Sequence, residues 1–181
     1  TPEAVALDLM IAGGDGSGLI YNALGNYHKG SLDSVLDLIR REDTVVGLGD
    51  GGAHYSAICD ASYPTFVLTY WVRDRDGERL SIEEAIRTLS SKPARVMGLS
   101  DRGVLAPGYK ADINVIDAAG LQLHAPQIKR DLPAGGRRLD QGAAGYVATL
   151  CNGVVIRRND QPTGARPGQL VGGAQAAPAM A

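Results

Sequence analysis

The sequence contains no run of about 18 apolar residues, the length that a membrane-crossing helix requires, so no transmembrane span is expected. It opens without a basic stretch followed by an apolar one, the pattern of a secretory signal peptide. Lysine and arginine are scattered apart from pairs such as Arg137-Arg138 and Arg157-Arg158, so the basic stripe of a nucleic-acid binder is lacking. Cysteine is scarce. Cys59 and Cys151 stand alone without zinc-like spacing, and two reduced, buried thiols in a cytoplasmic protein are expected rather than a disulfide. No initiator methionine is present: Thr1-Pro2-Glu3-Ala4 enters directly into an α/β pattern, which reads as a fragment of a longer protein. What is present is globular. The 181 residues, 44% hydrophobic and 21% charged with a net charge of −2, can bury a core as one large domain or two small ones.

The first hundred residues alternate helices and apolar runs. Thr1 caps and Pro2 starts a short helix to about Met10, with Val5, Leu7, Leu9 and Met10 as its apolar surface. A glycine-rich loop at 13–18 lacks the Gly-Lys-Ser/Thr ending of a phosphate-binding loop. Leu19 to Leu24 and Thr44 to Gly49 are apolar enough for buried parallel strands. Between them Ser31 caps a helix whose Leu32, Val35, Leu36 and Ile39 share one face. A helix is expected from Pro64 to Val72, with Phe66, Tyr70 and Trp71 as its core, followed by a solvated, ion-paired end at Arg73-Asp74-Arg75-Asp76. Ser81 and Glu84 form a capping box for a further helix with Ile82, Ala85, Ile86 and Leu89 inward, and Pro93 ends or restarts it. Two strands cannot make a stable open sheet or barrel alone.

Beyond Leu99 the pattern becomes β. A turn-rich segment at 103–109 precedes a strand at 111–117, with Asp112 as a structural residue at its start. Asn152-Gly153 between two β-branched runs, 146–151 and 154–157, predicts a type I′ hairpin. The expected organisation is 1–100 as the α/β part, 101–171 as a small β unit, and 172–181 as a disordered Gly/Ala/Pro-rich tail.

Asp50 carries the chemistry. It stands where an apolar strand meets a glycine-rich loop, and parallel α/β folds bind ligands at the carboxyl ends of their strands. The competing reading is a carboxylate that caps the next helix or braces the loop.

The order of several segments then resembles a known family. Gly47-Leu48-Gly49-Asp50-Gly51-Gly52-Ala53-His54, Asp60-Ala61-Ser62-Tyr63-Pro64, Tyr70-Trp71-Val72-Arg73-Asp74, Ser91-Lys92-Pro93-Ala94 and Gly103 to Ile113 follow one another as in the amidohydrolase superfamily. Asp131-Leu132-Pro133 and Pro162 to Gly168 continue the likeness, whose nearest branch is the N-acyl-D-amino-acid deacylases (D-aminoacylases). The resemblance implies an α/β fold: the C-terminal part of a TIM-type (β/α)8 barrel, plus the C-terminal strands of a small β-sandwich. It also implies that Asp50, at the end of the eighth barrel strand, binds a catalytic zinc and serves as general base on the attacking water. Hydrolysis of a C–N amide bond, as in N-acyl-D-amino acids, is the implied activity of the parent protein. A cyclic amidase of dihydropyrimidinase or dihydroorotase type is the alternative with the same mechanism. A non-catalytic truncated structural or assembly domain is the alternative without chemistry.

Two departures bear on this. The chain holds only His28, His54 and His124 and no His-x-His pair, so the one or two zinc ions would need ligands from a missing N-terminal barrel portion of the same protein. The segment 54–60 lacks the arginine that D-aminoacylases resemble one another in carrying after this aspartate, and none follows before Arg73. Either the substrate is not a simple N-acyl-D-amino acid or another residue binds its carboxylate. His54 and Tyr55 are candidates to line the substrate pocket, against plain loop packing. His28 reads as a solvated loop histidine and His124 as an exposed residue of the β unit. The expected partners are the missing barrel portion and a small-molecule amide, not nucleic acid or membrane; a homo-oligomer is left open.

Overall fold

The computed structural model describes residues 1–16, 18–20, 25, 27–47, 49 and 54–179. The chain divides into two compact units, Thr1–Arg41 and Glu42–Ala181.

In the first unit, α1 (Pro2–Ile11) starts where expected: the Thr1 hydroxyl accepts the Ala4 N–H at 3.3 Å and Pro2 sits in the first turn. Its apolar residues run round the helix instead of along one side, so Val5, Leu7, Leu9 and Met10 are exposed. In α2 (Asp33–Arg40) the apolar residues do share a side, and Leu36 and Ile39 are buried. Ser31 Oγ accepts the Asp33 N–H at 3.1 Å just ahead of it. His28 opens a short 3-10 turn, His28–Gly30.

The parallel strands expected at 19–24 and 44–49 are not formed by the residues described there. Leu19, Ile20, 44–47 and Gly49 join no ladder, while Tyr21 to Leu24 and Leu48 lie outside the described residues. An apolar run becomes a strand only when neighbouring strands take up its backbone groups.

The second unit begins its helices at α3 (Tyr63–Phe66), which continues as a π-helical stretch, Val67–Asp74. Trp71 is buried, whereas Phe66 and Tyr70 are half-buried and stack on each other at 4.9 Å. The solvated end expected at 73–76 is only partly so. Arg73 pairs with Asp74, but Arg75 is buried with its guanidinium 4.8 Å from the centre of the Trp71 ring. The capping box of α4 (Ile82–Leu89) is complete: the Ser81 N–H donates to Glu84 at 2.7 Å and Ser81 Oγ accepts the Glu84 N–H at 3.1 Å. Its inner face is Ala85 and Thr88, leaving Ile82 and Ile86 exposed, and so differs from the apolar stripe read from spacing. Pro93 lies inside α5 (Ser91–Val96), so it restarts the helix.

The strands of the β region pair antiparallel with one another. A four-stranded sheet comprises β1 (Ile113–Ile116), β6 (Tyr146–Cys151), β7 (Val154–Arg158) and β8 (Gln161–Pro162), in the order β1-β6-β7-β8. Two smaller sheets pair β2 (Gln122–Leu123) with β5 (Ala143–Ala144), and β3 (Gln127–Leu132) with β4 (Gly136–Asp140). The β6–β7 turn has φ of 49° at Asn152 and 79° at Gly153, the positive values a type I′ turn demands. Asp112 anchors it by accepting the Asn152 N–H at 2.7 Å.

The helical part and the β strands lie in the same unit, so the boundary expected near residue 100 falls inside it. Specific contacts join them. Arg73 donates to the carbonyls of Ala118 and Leu121, and Thr65 hydrogen-bonds the Tyr146 hydroxyl at 2.7 Å. The segment expected as a disordered tail is tied at Gln175, whose backbone N–H donates to Gly98 and whose carbonyl accepts from Ser100. Among the described residues no helix is long and apolar enough to cross a membrane.

Candidate functional site

Asp50, with Gly51, Gly52 and Ala53, lies outside the described residues; the structure describes its surroundings on either side. Gly49 is held against the start of α3. A Cβ there would sit 2.7 Å from the Tyr63 ring, 2.8 Å from Ala61 Cα and 2.8 Å from the Asp60 carbonyl, so only glycine allows the approach. A turn forms at 54–58, with the His54 carbonyl accepting the Ala57 and Ile58 N–H groups at 2.8 and 2.9 Å. His54 and Tyr55 are both exposed.

Tyr55 borders a cleft of about 870 Å³ between residues 55–65 and the β strands; His54 is not among the residues that line it. The polar groups of the cleft satisfy one another. Ser62 Oγ donates to Gln141 Oε1 at 2.6 Å, and Gln141 Nε2 donates to the His124 carbonyl at 2.9 Å. Lys129 pairs with Asp140, and Arg138 donates to Asp140 at 2.8 Å and to both Asp131 oxygens at 2.8 Å. The hydrogen bond from Lys129, then that from Arg138, holds the Asp140 carboxyl below the usual carboxylate range; Arg138 does the same for Asp131. These carboxylates are therefore ion-pair partners and not proton carriers near neutral pH.

Cys59 borders the same cleft. Burial, and then the neighbouring Asp60, push its thiol above the ordinary cysteine value, so it is the protonated, unreactive form. Cys59 and Cys151 are free and half-buried, less enclosed than the sequence suggests. His124 is exposed, as expected. Among the described residues no three His, Cys, Asp or Glu side chains come together to hold a metal ion. The donors described thus do not fit a zinc site by themselves.

Gln141, which borders this cleft, and Arg138, which donates to the cleft's Asp140, are residues that sequence reasoning missed. Arg137-Arg138 registers in the sequence only as a small basic cluster, and nothing local links it to residues 55–62, some eighty positions away.

The model of the amidohydrolase family matches residues 8–157. The chain is 34% identical to an N-acyl-D-glutamate deacylase of Alcaligenes xylosoxydans xylosoxydans over 97 residues, which is 54% of this chain and 18% of that protein. It is 33% identical to a dihydroorotase of Lactobacillus gasseri over 91 residues, 49% of this chain and 21% of that protein. A shorter stretch of 41 residues, 23% of the chain and 10% of the relative, is 49% identical to an imidazolonepropionase of Ruegeria pomeroyi. The chain thus spans no more than about a fifth of the length of these curated relatives. No solved structure matches it.

Proposed function

Because this chain belongs to the amidohydrolase family, we propose that it is the C-terminal portion of a zinc-dependent hydrolase that cleaves a C–N amide bond, with Asp50 as metal ligand and general base. The carrying observation is the family match over residues 8–157, which contains the Gly-Leu-Gly-Asp-Gly-Gly-Ala-His segment around Asp50. In this reading, residues 1–100 contribute the last strands and helices of a TIM-type barrel, and 101–171 contribute to a small β-sandwich. The remaining metal ligands and barrel strands come from elsewhere in the same protein. The exposed Ile82 and Ile86 on α4 support this, as apolar side chains that further barrel helices would cover. In this reading the protein works in the cytoplasm.

Zinc, when bound, supplies a water acidified to a pKa near 7. Asp50 would be this chain's residue at such an ion, and its carboxylate would take the proton of the attacking water and give it to the departing amine, so that nitrogen leaves neutral. Gly49, the residue before Asp50, is packed against Tyr63 without room for a Cβ. Tyr55, and with less support the solvent-facing His54, are candidates to contact substrate.

The proposed substrate is an N-acyl-D-amino acid. Cyclic amide hydrolysis is a second reading, favoured by the dihydroorotase relative and by the absence of arginine from 54–60. The test uses the protein expressed with whatever sequence precedes Thr1 in its reading frame. Bound zinc is measured, and N-acyl-D-amino acids are compared with dihydroorotate. Asp50→Asn should lower turnover by at least about a hundredfold, the scale of lost general-base catalysis. A fully active Asp50→Asn protein, or one without bound metal, would overturn the assignment.

A further inference from the structure

Residues 173–178 lie along the chain that follows α5. Gln175 forms a parallel bridge with Leu99: its N–H donates to the Gly98 carbonyl at 2.8 Å, and its carbonyl accepts the Ser100 N–H at 3.0 Å. This is the pair of bonds that one residue of an added strand makes with its neighbour. The Gln175 side chain turns back on the carbonyls of Gly173 and Ala174, at 3.0 and 3.2 Å, so what the residue offers its neighbour is main chain. On either side the segment passes over glycine. A Cβ at Gly98 would stand 3.2 Å from Ala174 Cβ, and one at Gly108 would stand 3.0 Å from Pro178 Cβ. Gln175 and Pro178 are half-buried, whereas residues 174, 176, 177 and 179 are exposed. A spacing of three is the period of an extended, polyproline-type chain laid along a surface.

The surface beneath this segment is held by bonds of its own. The N–H groups of Met97, Gly98 and Leu99 donate to the carbonyls of Pro93, Arg95 and Ala94 at 3.0, 3.1 and 2.8 Å. Beyond Ser100, the Lys110 N–H donates to the Asp101 carbonyl at 2.9 Å, and the Lys110 ammonium pairs with the Asp101 carboxylate at 2.9 Å. Arg102 bridges Asp101 and Asp112 at 3.0 and 3.3 Å. These bonds are made without residues 173–178. We infer that residues 98–100 and Gly108 form a preformed groove for an extended peptide with alanine over Gly98 and proline over Gly108, and that residues 173–178 are a strap filling it from within the same chain. A groove already in shape costs little ordering when it is filled. Attachment to the same chain gives the strap an effective concentration on the order of millimolar, which lets two main-chain hydrogen bonds and a proline contact hold it. A free peptide has to supply that concentration itself.

The experiment reads amide hydrogen exchange on the protein with its preceding reading frame, carrying Gln175→Pro or Pro178→Asp. The first puts a ring carbon where an N–H meets the Gly98 carbonyl, and the second puts a charge where a half-buried ring meets Gly108. In both, exchange at the Ser100 amide should accelerate by about tenfold or more, with β6 and β7 unchanged. The synthetic peptide Gly-Gly-Ala-Gln-Ala-Ala-Pro-Ala, which is residues 172–179, is then added at about 5 mM to Gln175→Pro. It should slow Ser100 exchange again by about threefold or more, whereas the same peptide with proline in place of glutamine should not. Unchanged Ser100 exchange in either variant, or an acceleration spread equally over β6 and β7, overturns the strap. An acceleration that the peptide fails to reverse, or that both peptides reverse equally, overturns the groove as a peptide site.

Discussion

Gly145 has a φ of 104°, and a Cβ at that position would come within 2.6 Å of Leu121 Cα and 2.9 Å of the Leu121 nitrogen. Backbone cannot retreat as a flexible side chain can, so Gly145→Ala should destabilise the second unit by roughly 1–3 kcal/mol or more. A lowered urea midpoint with an unchanged slope would verify this. Asp101 makes a different kind of prediction. Hydrogen bonds from Arg102 and then from Lys110, at 3.0 and 2.9 Å, lower its carboxyl from 3.8 to about 2. A depressed carboxylate favours the folded state in full while both folded and unfolded forms are ionised, and in part while only the folded form is. Its stabilisation is therefore complete above the ordinary value of 3.8 and disappears as the pH falls towards about 2. Thermal melts of the parent should lose stability across that interval more steeply than those of Asp101→Asn; parallel profiles would show that the pair contributes nothing.

At the scale of elements, local chemistry succeeded where the signal is short in range. The Ser81–Glu84 capping box and the Asn152-Gly153 turn formed as read, because each is decided by groups within a few residues. Gly153 has φ of 79° and open space round its missing Cβ, so Gly153→Ala should cost only the left-handed strain, about 1–2 kcal/mol. Circular dichroism melts give the size of the loss; amide exchange should localise it to the β6–β7 hairpin. The apolar runs at 19–24 and 44–49 show the opposite case. Their composition suits a buried strand, yet a strand is a relation to neighbouring strands, and the described residues of both runs join no ladder. The stripe on α4 failed for a related reason: periodicity marks a helix face but does not supply what covers it, so Ile82 and Ile86 remain exposed.

For the whole molecule, the limiting fact is that the matches cover about a fifth of the curated relatives' length. Hydrolytic zinc takes about three protein ligands and an open position, and among the described residues no such set assembles. The 181 residues alone are therefore expected to show no hydrolysis of N-acyl amino acids even with zinc added. Clear turnover by the isolated chain would defeat the reading of it as one portion of a larger site.

The amino-acid sequence by itself was sufficient for the family, because an ordered series of short segments is a one-dimensional pattern; the assignment of Asp50 is a proposal that the Asp50→Asn variant tests. The sequence was sufficient too for caps and tight turns, whose partners lie close along the chain. Only the tertiary structure decided that Arg138 and Gln141 face Tyr55 and Ser62, that Arg75 is buried on Trp71, and that Gln175 is tied to Gly98 and Ser100. Except for Arg75 and Trp71, these are contacts between residues some eighty positions apart. No local propensity encodes such a meeting, and it exists only once the β strands have paired and brought one segment against the other.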